Sequence, residues 1–254
     1  MNNTTQIKVL TAAVLLVFSM SLTAHAASVT TGVSEMNQQQ TISGTLSARQ
    51  QAIPLIAAYM ASSQMGKLNT ALNQGLDAGL TVNEAKEILV QLYAYTGFPR
   101  SLNALNELMK VVNERKQRGI NDAQGKEPVS PIPVGDELRR VGTANQTKIS
   151  GAPVQGPVFE FAPVINQFLQ THLFGDIFAR DNLDWQSREL ATVGALAATP
   201  GVEAQLLSHT RASLRVGLTA EQLRQLAQIL REHGEGHAAT RVEKALQQAL
   251  ATAK

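Results

Sequence analysis

The chain has 254 residues, with 22 Lys+Arg against 20 Asp+Glu, 44% hydrophobic and 17% charged residues, the profile of a foldable chain rather than a disordered or collagen-like one. It contains no cysteine, which excludes thiol nucleophiles, CxxC redox chemistry, thiolate zinc sites and disulfides. A formal net charge of +2 gives no sign of the extended basic surface that nucleic-acid binding needs, so no nucleic-acid partner is expected.

At the N-terminus, Lys8 precedes an apolar run from Val9 to Phe18 and then the small-x-small triplet Ala24-His25-Ala26. This is the pattern of an export signal cleaved after Ala26. The run is shorter than the roughly 20 residues of a comfortable membrane span. The mature chain is therefore expected to start at Ala27, to have no membrane attachment, and to be periplasmic or secreted. Residues 27–45 are rich in Ser, Thr and Gln without periodicity and read as a flexible arm.

From Leu46 to about Lys116, apolar residues recur at three- and four-residue spacing, as in Ile53, Ile56, Ala57 and Met60, which predicts helices over 46–115. Between 116 and 166 the texture changes, because six of the nine prolines and six glycines fall there. That stretch reads as a connector with little room for helix. Within it, Val158-Phe159-Glu160-Phe161, bracketed by Pro157 and Pro163, is the one candidate for an edge strand. Helical patterning resumes over 167–254.

The two helical regions share a repeat. Leu76-Asp77-Ala78-Gly79-Leu80-Thr81 matches Leu214-Arg215-Val216-Gly217-Leu218-Thr219. Gly79 and Gly217 suit the left-handed end of one helix. Thr81 and Thr219, each followed by Glu84 or Gln222, suit the capping box of the next. A further helix is expected to precede each hairpin, N-capped near Ser47 and Asp184. The fold class that follows is all-α, built from two tandem helical repeats that pack face to face or against copies from other chains.

The stretch Leu173-Phe174-Gly175-Asp176-Ile177-Phe178-Ala179-Arg180-Asp181-Asn182-Leu183-Asp184, followed by Ser187-Arg188-Glu189-Leu190-Ala191-Thr192-Val193-Gly194-Ala195-Leu196-Ala197, resembles the carboxymuconolactone decarboxylase family, which shares its fold with the alkylhydroperoxidase D-like proteins. Gly79 to Ile88 and Tyr93 to Pro99 resemble the same family's hairpin and terminal signature. The resemblance implies helical units assembled into rings, with sites lined by more than one unit. Two units per chain would make a ring of six units a homotrimer. It also implies either cofactor-free decarboxylation of a small lactone acid or thiol-based peroxide reduction. The second reaction uses Glu, CxxC and His. Glu189 and His209 match its Glu and His, but Val202 and Gln205 stand at the cysteine positions, so that chemistry does not carry over.

Glu189 and His209 are the candidate catalytic pair, because a buried carboxylate can orient an imidazole for proton transfer near neutral pH. The alternative pairs Glu189 with Arg188 or Arg211 and leaves His209 a packed helix residue. In the first repeat Gln50 or Gln51 and Ala71 occupy the equivalent positions, so that repeat reads as chemically silent. Arg211, with Arg215 four residues on, is a candidate clamp for a small anionic organic molecule. Tyr93 and Tyr95 are candidate substrate-binding hydroxyls, with aromatic packing as their alternative role. His233 and His237 have the spacing of a metal pair, but Gly234 and Gly236 argue against the helix such a pair needs. No metal or organic cofactor is expected. Two functions remain: an exported enzyme performing proton transfer or decarboxylation on a small acid or lactone, and a non-catalytic helical assembly or binding protein that keeps the fold.

Overall fold

Twelve α-helices and one π-helix follow one another in the computed structural model, which describes residues 44–251. The expected export signal, and all but the last two residues of the expected arm, lie outside the described residues. Helices α1 (Ala48–Ala61), α2 (Met65–Asp77), α3 (Val82–Gln91), the one-turn α4 (Tyr93–Thr96) and α5 (Phe98–Gln117) make the first helical region. Helices α9 (Trp185–Ala197), α10 (Glu203–Arg215), α11 (Ala220–Glu232) and α12 (Gly236–Ala251) make the second.

The local signals act as expected. Ser47, Thr81 and Thr219 each close a reciprocal capping box, with Gln50, Glu84 and Gln222 respectively, and Asp184 accepts from Ser187 N at the start of α9. Gly79 and Gly217 turn the two matched hairpins at φ 91° and 99°, where a side chain would be strained. Leu80 N donates to Gly75 O, and Leu218 N to Ser213 O, so both hairpins turn through the same hydrogen bond. Helices α2, α3 and α5 begin 138 residues before α10, α11 and α12.

The two regions share one hydrophobic core, to which Ile53, Ile56, Met60, Leu72 and Leu89 contribute from one side and Leu190, Val193, Leu223, Leu226 and Val242 from the other. Its centre is the packing of α1 on α9. A Cβ on Gly194 would lie 2.6 Å from Pro54 O, so this glycine sets how closely the two backbones approach.

The stretch 116–166 differs from expectation. It contains α6 (Gly135–Ser150), a helix of 16 residues, and the short helices α7 (Pro157–Phe161) and α8 (Pro163–Phe168). Val158–Phe161 is therefore a helical turn and not a strand. Pro157 and Pro163 each open a helix, where a missing N–H removes no hydrogen bond. Pro128, Pro131 and Pro133 precede α6, which contains no proline. The irregular connector is reduced to about residues 118–134, with a short link at 151–156 between α6 and α7; the longer part is held in place. Ala123 O and Gln124 O accept from Val82 N and Asn83 N at the start of α3, and Arg115 holds Asp122 through Nε and Nη2.

Helix α6 packs across the π-helix Leu169–Ile177. A Cβ on Gly142 would collide with Gln170 O, and Asn145 Nδ2 donates to Phe174 O at 2.8 Å. Ile149, Phe174, Ile177, Phe178 and Ala212 form a second, smaller core here. Among the described residues no helix is long and apolar enough to cross a membrane.

Candidate functional site

Helix α9 is buried on every side from Ser187 to Ala197, so its two consecutive charged residues need partners inside the protein. Successive residues on a helix point about 100° apart, and these two go separate ways. Arg188 reaches the first helical region, where Nη2 donates to Glu87 Oε1 and Nη1 to Gln91 Oε1, both at 2.9 Å. Glu87 also accepts Arg180 Nε at 2.9 Å and Asn182 Nδ2 at 3.2 Å. Burial pushes the Arg188 guanidinium below its usual pKa, and Glu87 opposes that shift.

Glu189, with a wholly buried side chain, sits with Oε2 at 2.9 Å from His209 Nδ1 on α10. Its other oxygen, Oε1, is buried without a hydrogen-bond partner among the described residues. The imidazole is 14% exposed and lines a cavity of about 170 Å³ together with Arg211, Arg215, Ser208, Phe174 and Ile149. Arg215 Nη1 donates to Ile149 O at 3.3 Å, which ties it to the end of α6. The cavity thus has a carboxylate-held imidazole at one wall, two guanidinium-bearing residues beside it and an apolar floor. A cavity of equal volume between α10 and α12 is lined by Glu203, Arg241 and Lys244 and has no such acid–base pair.

The structure brings Glu189, His209 and Arg211 together. Tyr95 comes to the same place from the first region, but by its ring, which meets the His209 ring edge-on at 5.3 Å. Its hydroxyl is buried close to Thr192 and makes no hydrogen bond of good geometry among the described residues. Burial first, and the nearby Glu189 charge second, hold that hydroxyl far above the usual tyrosine pKa. Tyr93 is not among the residues lining the cavity. It stacks on Phe98 at 4.2 Å and lies 5.5 Å from the His172 ring. Glu189 pairs with neither arginine that sequence offered as its alternative partner. Arg188 is held by Glu87, a pairing across 101 residues that no local pattern could signal. Ile149 and Ser150 line the cavity from α6, a helix the proline content of its surroundings concealed.

His233 ends α11 and places Nδ1 at 2.8 Å from Ile229 O, while His237 lies in the first turn of α12. The two imidazoles therefore stand on different helices. Among the described residues no group of three or more His, Asp and Glu side chains has the placement to hold a metal ion.

No curated protein matches the chain. Residues 163–248 match the family model described as Carboxymuconolactone decarboxylase family. The matched segment contains Glu189, His209 and Arg211, and the first helical region lies outside it. The C-terminal helical region, over residues 163–248, is thus similar to the carboxymuconolactone decarboxylase family.

Proposed function

We propose that the protein is a cofactor-free enzyme that transfers a proton to or from a small anionic acid or lactone, with decarboxylation as the favoured reaction. The observation that carries this reading is the 2.9 Å contact between His209 Nδ1 and the wholly buried Glu189 carboxylate at the wall of a cavity shared with Arg211. Glu189 Oε2 accepts from Nδ1–H and fixes the tautomer, so that Nε2 is the nitrogen that exchanges a proton with substrate. As the ring gains that proton, the buried carboxylate stabilises the imidazolium.

In a decarboxylation, the bond to the departing carboxylate breaks, its electron pair stays on carbon, and the protonated His209 delivers the proton that this carbon takes up. Arg211 supplies positive charge for a substrate carboxylate. A volume of about 170 Å³ is below the roughly 300–1,000 Å³ typical of drug-sized sites, which favours a small ring or short-chain acid. The export-signal pattern of residues 1–26 supports a reaction outside the cytoplasm. The test is turnover of a panel of small carboxylic acids and lactones by the purified protein without added metal. Release of carbon dioxide, or exchange of a carbon-bound proton, is expected for at least one compound. Inertness toward the whole panel would favour a binding or assembly role instead.

A further inference from the structure

Among the described residues, two apolar surfaces are left facing solvent. The first is on α5, whose inner row Ser101, Ala104, Leu108, Val111 and Arg115 is buried. A surface helix needs one such row, but α5 has a second beside it: Phe98, Leu102, Leu105, Met109 and Val112, spaced four, three, four and three residues apart. Leu105 and Val112 lean on the core, whereas Phe98, Leu102 and Met109 are 62%, 57% and 59% exposed. A four–three alternation of apolar residues is the spacing by which one helix receives another.

The second surface is the arm formed by α7 and α8. Between Pro157 and Phe168 it has one charged residue, Glu160. Phe161 is 91% exposed, and Val158, Val164, Ile165 and Phe168 are exposed as well. Neighbouring elements cover little of it, with its main packing on the π-helix that follows. These exposed side chains together offer several hundred Å² of apolar surface, on the scale of the ~800 Å² per partner that a stable interface buries. Monomeric proteins rarely leave patches of that size open.

We propose that the arm 157–168 of one copy docks on the outer row of α5 of a second copy. The chain itself supplies both halves: an apolar projecting segment nearly free of charge and an apolar helical row with the spacing to receive it. Each copy then covers what the other exposes. This inference does not depend on the proposed chemistry, because neither surface contains Glu189, His209 or Arg211.

The test is light scattering at micromolar concentration on protein purified from cells expressing the full sequence. The wild type should run at a multiple of the chain mass. Phe161→Ser with Phe168→Ser, and separately Leu102→Ser with Met109→Ser, should each be monomeric with unchanged helical circular dichroism. An equimolar mixture of the two variants keeps one intact arm and one intact row, and should regain a two-chain species. A monomeric wild type, an arm variant that still assembles, or a mixture that stays monomeric would each overturn the proposal. If a serine variant fails to fold, the absence of cysteine allows an unambiguous second measurement with a short bis-maleimide. Phe161→Cys mixed with Met109→Cys should give a crosslinked pair of chains that neither gives alone. Crosslinking of Phe161→Cys by itself would put arm against arm and contradict the proposal.

Discussion

Arg188 Nη2 donates to Glu87 Oε1 at 2.9 Å, and the two side chains are 0% and 2% exposed. This pair joins α9 to α3 and occupies the one cation adjacent in sequence to Glu189. Removing one partner of a buried pair leaves the other charge uncompensated, which costs about 3–5 kcal/mol. Glu87→Ala should lose stability on that scale in denaturant unfolding. The double variant Glu87→Leu, Arg188→Met should recover much of the loss, since apolar replacements of buried pairs are often neutral. A loss below about 1 kcal/mol for Glu87→Ala would mean the pair is not the link between the two helical regions described above.

The matched hairpins make a symmetrical prediction. Thr81 and Thr219 each accept from the backbone N–H three residues on, at 3.2 and 3.1 Å. Thr81→Ala and Thr219→Ala should each destabilise by about 1 kcal/mol, measured as a shift in the denaturant midpoint. A markedly larger effect at Thr81 would point to the connector that covers the start of α3.

Gly194 allows α9 to lie directly on α1, with Pro54 O 2.6 Å and Pro54 Cα 2.8 Å from where a Cβ would stand. These are backbone atoms and cannot swing aside. Gly194→Ala should therefore cost about 1–3 kcal/mol through overpacking. Gly66, also helical, has nothing within 4 Å of such a Cβ, so Gly66→Ala should be neutral or stabilising by up to about 1 kcal/mol. Equal thermal shifts for the two variants would contradict the close approach.

Glu235 links the turn before α12 to the first region, accepting from Lys67 Nζ and Gln64 Nε2, both at 2.9 Å. Burial raises its carboxyl pKa, but the two hydrogen bonds and the Lys67 charge outweigh that and hold it below the usual value. A depressed folded-state pKa contributes stability that is present above the unfolded value of about 4.3 and is lost as pH falls through the folded one. The stability gap between wild type and Glu235→Gln should thus be widest near neutral pH and shrink below about pH 4. A gap that does not change with pH would mean the carboxylate charge contributes nothing.

Sequence made the local features of the fold legible. The hairpin glycines and the Ser47, Thr81, Thr219 and Asp184 caps act within a few residues, so residue type and spacing suffice to find them. The stretch 116–166 is not legible in the same way, because a high density of prolines argues against helix while their positions decide where helices start. Pro157 and Pro163 open helices, and the proline-free run after Pro133 is α6. At the candidate site, Glu189, His209 and Arg211 were identifiable from residue chemistry together with the family resemblance. The Arg188–Glu87 pair was not, because it spans the two regions. The orientation of Tyr95 depends on how α4 meets α9 and α10, which spacing does not encode. Its ring reaches His209 while its hydroxyl is buried.

The central claim is that His209, held by Glu189, moves a proton. Its most direct test is exchange of a carbon-bound hydrogen in deuterated solvent, or release of carbon dioxide, followed by NMR on the compound that the substrate panel identifies. His209→Gln should slow the reaction about 10²–10⁴-fold, as expected for loss of a general acid–base group, while leaving its melting temperature close to that of the wild type. Glu189→Gln should slow the reaction less, because it weakens the hold on the ring without removing the nitrogen that exchanges the proton. Full activity in both variants, or activity abolished by a chelator, would contradict the assignment.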